Sequence, residues 1–95
     1  MHEEDEVFKI VLIKVLDALF DDTRVKILNI LRDNEMVSFR SLSRRLGINH
    51  KKLKRNINLL VKAGLVEEVQ IMVSDGRIYR AYRLGKDINK VLRSK

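Results

Sequence analysis

Between Ser38 and Glu68 the chain reads SFRSLSRRLGINHKKLKRNINLLVKAGLVEE, and two apolar periodicities separated by a glycine dictate most of what it can fold into. Phe39, Leu42 and Leu46 recur at i, i+3, i+7, and Leu53, Ile57 and Leu60 at i, i+4, i+7, so each stretch is a helix with one apolar stripe. Neither stripe is buried by its own helix, so the two share a core. Gly47 supplies the left-handed backbone that ends the first helix. Asn49 supplies an acceptor for the free amides that open the second, as Ser38 does for the first. Two short helices joined by so tight a turn form a helix-turn-helix.

The second helix breaks a local rule. His50, Lys51 and Lys52 fill its first turn and Lys54 and Arg55 the next, where cations oppose the helix dipole and stability alone would favour Asp or Glu. Such violations collect at functional sites. A helix start already attracts anions through its free N–H groups, and added Lys and Arg make it a reader of phosphates and base edges. From His50 to Ala63, six of fourteen residues are cationic or titrate to cations and none is acidic. That composition leaves no room for the i, i+4 pairs of a merely solvated face.

Charge is unevenly spread along the 95 residues: residues 1–22 carry two Lys and seven acids, whereas residues 23–95 carry eighteen Lys and Arg and six acids. A basic surface of this kind meets nucleic acid or an anionic membrane, and cations placed on a helix-turn-helix favour nucleic acid. The chain has no Cys, so neither a disulfide framework nor a thiolate metal site is available. His2 and His50 stand apart from other evident ligands, and no nucleophile–base pair, Gly-rich phosphate loop or paired-carboxylate constellation is recognisable. Neither cofactor, metal nor enzyme activity is therefore expected. Met1 to Glu6 is acidic where a secretory start would be basic, so a cytoplasmic, nucleoid-associated location is expected.

Val7 to Phe20 is apolar at eleven of fourteen positions, around nearly the whole circumference of a helix, and needs cover on several sides. As helix it spans only about 21 Å against the roughly 30 Å hydrocarbon layer, with Lys9, Lys14 and Asp17 interrupting it, so it does not cross a membrane. The excess apolar surface points to a second copy in a two-fold dimer, from which a small core gains, the alternative being a helix deeply buried within a monomer. Asp21 and Asp22 can cap a second helix running to about Arg32, with Val25, Leu28 and Leu31 as its stripe. Met36 and Val37 suggest a very short strand.

After Gly64 the period changes to two. Val66–Val73 and Arg77–Leu84 flank Ser74, Asp75 and Gly76, a hairpin signal. This arm, or wing, carries Arg77, Arg80 and Arg83, which can lie along a backbone or in a minor groove. Tyr79 and Tyr82 can stack on bases, with Tyr82 and Leu84 better suited to closing the hairpin base onto the core. Residues 86–95, with Ile88, Val91 and Leu92 at helical spacing, suggest a last short helix against the first. With no Pro and four Gly, residues 1–95 are expected to form one domain, mainly α with a small β-hairpin wing, in the order α, α, short β, α, α, β, β, α.

That order resembles the winged helix-turn-helix DNA-binding domains, and among them the ArsR-type bacterial and archaeal regulators. Leu19-Phe20-Asp21-Asp22-Thr23-Arg24-Val25-Lys26-Ile27-Leu28 matches that family's L-x-D-x-T-R-x-x-I-L opening of the second helix. Ala63-Gly64-Leu65-Val66-Glu67, Gly76-Arg77 and Tyr82-Arg83-Leu84 continue the likeness. The resemblance implies that residues 49–63 enter the major groove, that the hairpin touches flanking backbone, and that the first and last helices dimerise. The Cys-containing sensor motif of metal-responsive members is absent, its place near Ser38 held by Phe39, Arg40 and Leu42. Lys51, Lys52 and Lys54 stand where Ser, Thr or Gln are usual, and Asn56 where His is frequent, which implies stronger phosphate binding and looser base selectivity.

The expected DNA contacts are Arg55 and Asn58 to base edges and Lys51, Lys52 and Lys54 to phosphates, with Asn49, His50, Arg77 and Arg80 beside them. Arg40, Arg44 and Arg45 hold the backbone, unless one pairs with Glu35 or Asp33. His50 either tunes binding near neutral pH or is an ordinary surface residue. Val7, Phe8, Val11, Leu12, Val15, Leu19, Val91 and Leu92 form the expected dimer face. Double-stranded DNA and a second copy are the expected partners of a transcriptional regulator, and no effector is identifiable. A sequence-tolerant architectural DNA-binding protein, or a protein-interaction winged helix within a larger assembly, would use the same residues differently.

Overall fold

The computed structural model describes residues 3–18 and 21–93. Acids at Glu3, Glu4, Asp5 and Glu6 open α1 (Glu3–Ala18), where negative charge suits the dipole, so the helix starts a turn earlier than its apolar run. Asp21 caps α2 (Asp22–Asp33): its carboxylate accepts from the amides of Thr23 at 2.8 Å and Arg24 at 3.4 Å. Burial opposes ionisation of Asp21, but those two amides and the charges of Arg24 and Lys52 outweigh it and hold the carboxyl below its ordinary range. The strand β1 is Val37–Ser38, one residue later than Met36–Val37, because Val37 and Ser38 are the residues that pair with Tyr82 and Ala81.

Next come α3 (Phe39–Leu46), α4 (His50–Lys62), the hairpin strands β2 (Val66–Met72) and β3 (Ile78–Leu84), and α5 (Lys86–Arg93). The antiparallel sheet has the order β1-β3-β2. Val73 accepts from Gly76 N–H and donates to the Arg77 carbonyl, both at 2.9 Å, with Gly76 at φ 86°. This is a three-residue loop with glycine in the left-handed position, and it sets the register outward to Glu67↔Arg83 and Val66↔Leu84.

The core forms where α2, α3 and α4 meet the base of the sheet. Leu31, Leu42, Leu53, Ile57, Leu60, Val66 and Ile88 are almost wholly buried, and Tyr82 and Leu84 close it from the sheet. The two apolar stripes of the helix-turn-helix thus share one core as their spacing requires. Where α4 turns into β2, Gly85 donates to the Leu65 carbonyl at 2.8 Å, and a Cβ at Gly85 would collide with the carbonyl oxygen of Gly64. Wing and helix-turn-helix are locked at that crossing.

Val11, expected on the dimer face, is instead 5% exposed and part of this core. Among the described side chains of α1 it is the one in the core, and it lines a small recess with Leu65. Its neighbours Val7, Phe8, Ile10, Leu12, Ile13 and Leu16 are each about half exposed. Leu19 and the side chains of Val15, Val91 and Leu92 lie outside the described residues. Among the described residues, no helix is long and apolar enough to cross a membrane.

Candidate nucleic-acid interface

Capping fixes where α4 begins, and so what its cations face. Ser38 Oγ accepts from the Ser41 amide at 3.1 Å, and Asn49 Oδ1 from the Lys52 amide at 2.8 Å. Gly47 sits at φ 65°, its N–H on the Ser43 carbonyl, and Ser43 Oγ donates across the turn to the Ile48 carbonyl at 2.9 Å. Asn49, expected at the interface, therefore has its side-chain oxygen committed to the cap.

With Leu53, Ile57 and Leu60 turned inward, Lys51, Lys54, Arg55, Asn58 and Lys62 are exposed together along the outer side of α4, lining a shallow groove of about 400 Å³ with the half-exposed Leu59. None of these cations, nor Arg40, Arg44 or Arg45, forms an ion pair with a described acid; Asp33 pairs with its neighbour Arg32 instead. Lys52 separates from the others: it borders a depression of about 410 Å³ with Asp21, Asp22 and Lys26 on the α2 side, and its charge acts on Asp21.

Asn56 is only 4% exposed and donates from Nδ2 to the Lys52 carbonyl at 3.0 Å. It is a satisfied core amide and cannot reach a base, so the residue at the position where the resemblance expects His does no reading. Its apolar neighbours Leu53, Ile57 and Leu60 at helical spacing are the sequence signal that position 56 lies on the buried side.

Between α3–α4 and the wing lies a cleft of about 960 Å³. Arg40, His50, Lys51 and Lys54 border it from the helices, Arg77 and Arg80 from the wing, and Phe39, Val73, Ile78 and Tyr79 give it apolar walls. The His50 ring stands edge-on to Phe39 at 5.2 Å between centroids.

The wing arginines differ from the helix cations. Arg77 Nε meets Asp75 Oδ2 at 2.6 Å, Arg80 Nε meets Glu68 Oε1 at 3.5 Å, and Arg83 Nε meets Glu67 Oε1 at 2.9 Å. The Tyr82 hydroxyl donates to the same Glu68 oxygen at 3.1 Å. Burial, reinforced by the Glu68 charge and hydrogen bond, pushes that phenol up to about 12 against a smaller opposing effect of Arg80. Tyr82 is thus a core residue, whereas Tyr79 is exposed.

A family model described as winged helix-turn-helix DNA-binding matches residues 20–67. No curated protein matches in sequence. Among solved structures, the chain resembles reduced HlyU from Vibrio cholerae (24% identity, 96% of this chain and 90% of that one, TM-score 0.71). It also resembles the transcriptional repressor BigR from Xylella fastidiosa (21%, 99% and 92%, 0.72). A third likeness is to the homodimeric winged helix-turn-helix DNA-binding domain Mb0332 from Mycobacterium bovis (20%, 97% and 81%, 0.66). TM-scores of 0.66 to 0.72 show that the chain shares the fold of these structures. With a family model spanning the helix-turn-helix and the start of the wing, the chain belongs to the winged helix-turn-helix DNA-binding family.

Proposed function

We propose that the chain is a homodimeric transcriptional regulator of the ArsR type that binds duplex DNA with sequence preference, α4 lying in the major groove and the wing tip on flanking backbone or minor groove. The observation that carries this reading is the outer side of α4. Four cations without an acid partner among the described residues, together with Asn58, stand exposed in a row on a helix anchored from beneath by Leu53, Ile57 and Leu60. A helix presents such a row to a groove lined on both sides by phosphates. Lys51 and Lys54 take phosphates, and Arg55 and Asn58 read base edges, because a guanidinium or an amide pairs a base in two places whereas an ammonium is a point charge.

The half-exposed Val7, Phe8, Ile10, Leu12, Ile13 and Leu16 of α1 support the dimer, since so many large apolar side chains exposed on one short helix are unusual on a monomer. Homodimeric Mb0332 has the same fold. A two-fold dimer would set the recognition helices about one helical turn, roughly 34–36 Å, apart and favour palindromic sites.

Selection of bound sequences from random duplexes, with sedimentation of the pure chain, tests the whole reading. The expected outcome is a dimer that enriches an inverted repeat and loses affinity steeply with salt. Tight binding with no enriched sequence would favour an architectural role, for which the lysines of α4 already speak. A monomer that ignores duplex DNA at low salt would reject both.

A further inference from the structure

We propose that the cleft between the helix-turn-helix and the wing is a binding site for a small amphipathic anion, an aryl carboxylate in chemical class, whose occupancy excludes DNA. Phosphodiester backbone needs only the cationic border of this cleft. The border surrounds something DNA does not require: apolar walls in which Ile78 is 56% and Tyr79 45% exposed, with Phe39 and Val73 beside them. About 960 Å³ is the size of a small-molecule site, and apolar walls with a few convergent charges are the make-up of one.

The distribution of charge orients the ligand. On the wing, Arg77 and Arg80 are already engaged by Asp75 and Glu68. On the helix side Arg40, Lys51 and Lys54 have no acid partner among the described residues, and the first turn of α4 adds its own attraction for an anion. A carboxylate therefore sits by Lys51 and Lys54, and the attached ring system lies across Tyr79 and Ile78, where offset or edge-on contact with an aromatic ring is favourable. The carboxylate occupies the cations that would otherwise meet phosphate, so ligand and DNA exclude one another and each lowers the apparent affinity of the other. Only this last step rests on the DNA-binding reading; the site itself stands on the cleft.

The test titrates 2-naphthoate, a fluorescent aryl carboxylate, into the full chain, with 2-naphthylmethanol as the uncharged counterpart and inorganic sulfate as the charge alone. The expected result is saturable binding of naphthoate, with the alcohol and sulfate each weaker by at least about fivefold. Lys54→Ala and Tyr79→Ala should each weaken naphthoate by a similar factor, and amide NMR shifts in the wild-type chain should move at His50 and Tyr79. Addition of duplex DNA should release the naphthoate. Equal binding of alcohol and carboxylate, indifference to both substitutions, shifts confined to α1, or naphthoate and duplex bound together would each overturn the proposal. If naphthoate binds as expected while no duplex binds, the site stands and the DNA-binding reading falls.

Discussion

The helix-turn-helix and the wing are both rich in cations, yet they handle charge in opposite ways. Residues 38–63 contain eight Lys and Arg and no acid, whereas residues 66–84 contain three Arg and three acids, each arginine within 3.5 Å of a carboxylate. The helix side therefore presents its field to any polyanion at any distance within the screening length. The wing presents almost none until a phosphate comes close enough to displace Asp75 or Glu68. A count of positive residues treats the two regions as equivalent. The ion pairs leave the unbalanced charge on α3 and α4, so on the proposed reading long-range attraction would come from those helices and the wing would act through shape and short-range contact.

That contrast presupposes that wing and helix-turn-helix move as one body, and the crossing at Gly85 is where it breaks most easily. Gly85→Ala forces a methyl group against the Gly64 carbonyl, and backbone cannot yield as a flexible side chain would. A loss of about 2–3 kcal/mol is expected, within the range for overpacking at a closed site. Urea unfolding would measure it. A loss under about 0.5 kcal/mol would mean that the two regions are not rigidly joined.

Arg55→Ala comes next, with an expected cost of about 1–3 kcal/mol on the preferred duplex and little on random DNA. Equal loss on both would reduce Arg55 to a phosphate contact. Lys51→Ala and Lys54→Ala should weaken all duplexes alike and each flatten the dependence of log affinity on log salt by about one unit. Arg77→Ala and Arg80→Ala should flatten it by less than about half as much, since their charge is already balanced and exposed pairs of this kind are worth at most about 1 kcal/mol. Anisotropy titrations across a salt series would rank the four. Equal slopes would erase the distinction between helix side and wing.

Much of this contrast is legible in the order of residues alone. The apolar stripes, Gly47 and the caps at Ser38 and Asn49 define the helix-turn-helix from local chemistry, and they recur in the fold residue for residue. The register of the wing is also within reach of local chemistry. A loop of Ser74-Asp75-Gly76 sets Val73 against Arg77, which carries Glu67 opposite Arg83 and Glu68 diagonal to Arg80. Counting outward from the turn therefore suffices to bring those arginines to their acids. What local pattern does not carry is which side of a helix faces a distant segment. The burial of Asn56 does follow from the helical spacing of its neighbours, whereas Lys52 looks like Lys51 and Lys54 in a cationic run, yet it alone of the three borders the depression beside the acids that open α2. Val11 likewise sits in a helix apolar on nearly every side, and its burial depends on where the rest of the core, Leu65 included, lies in the fold.

The smallest expected effect probes whether the carboxylates of the wing hold their partners in solution. The folded chain keeps the Tyr82 proton more tightly than the unfolded chain, with a value raised from 10.0 to about 12. The stability attached to that proton is therefore intact below pH 10 and is lost as pH rises towards 12. Tyr82→Phe should cost only about 0.5 kcal/mol at neutral pH, the low end for a hydrogen bond, because Glu68 retains Arg80. It should also remove the part of the alkaline decline that belongs to this phenol. Glu68→Gln should reduce the same decline without emptying the core, since it withdraws the charge and leaves the burial. Urea unfolding of the three chains between pH 9 and pH 12, a range set by the roughly two-unit rise of the phenol, would separate these contributions. A decline in Glu68→Gln as steep as in the wild-type chain would mean that burial alone raises the phenol. Glu68 would then not hold Tyr82 in solution, and its longer pair with Arg80 through the same oxygen would be in question, leaving Arg77 and Arg83 as the wing's balanced cations.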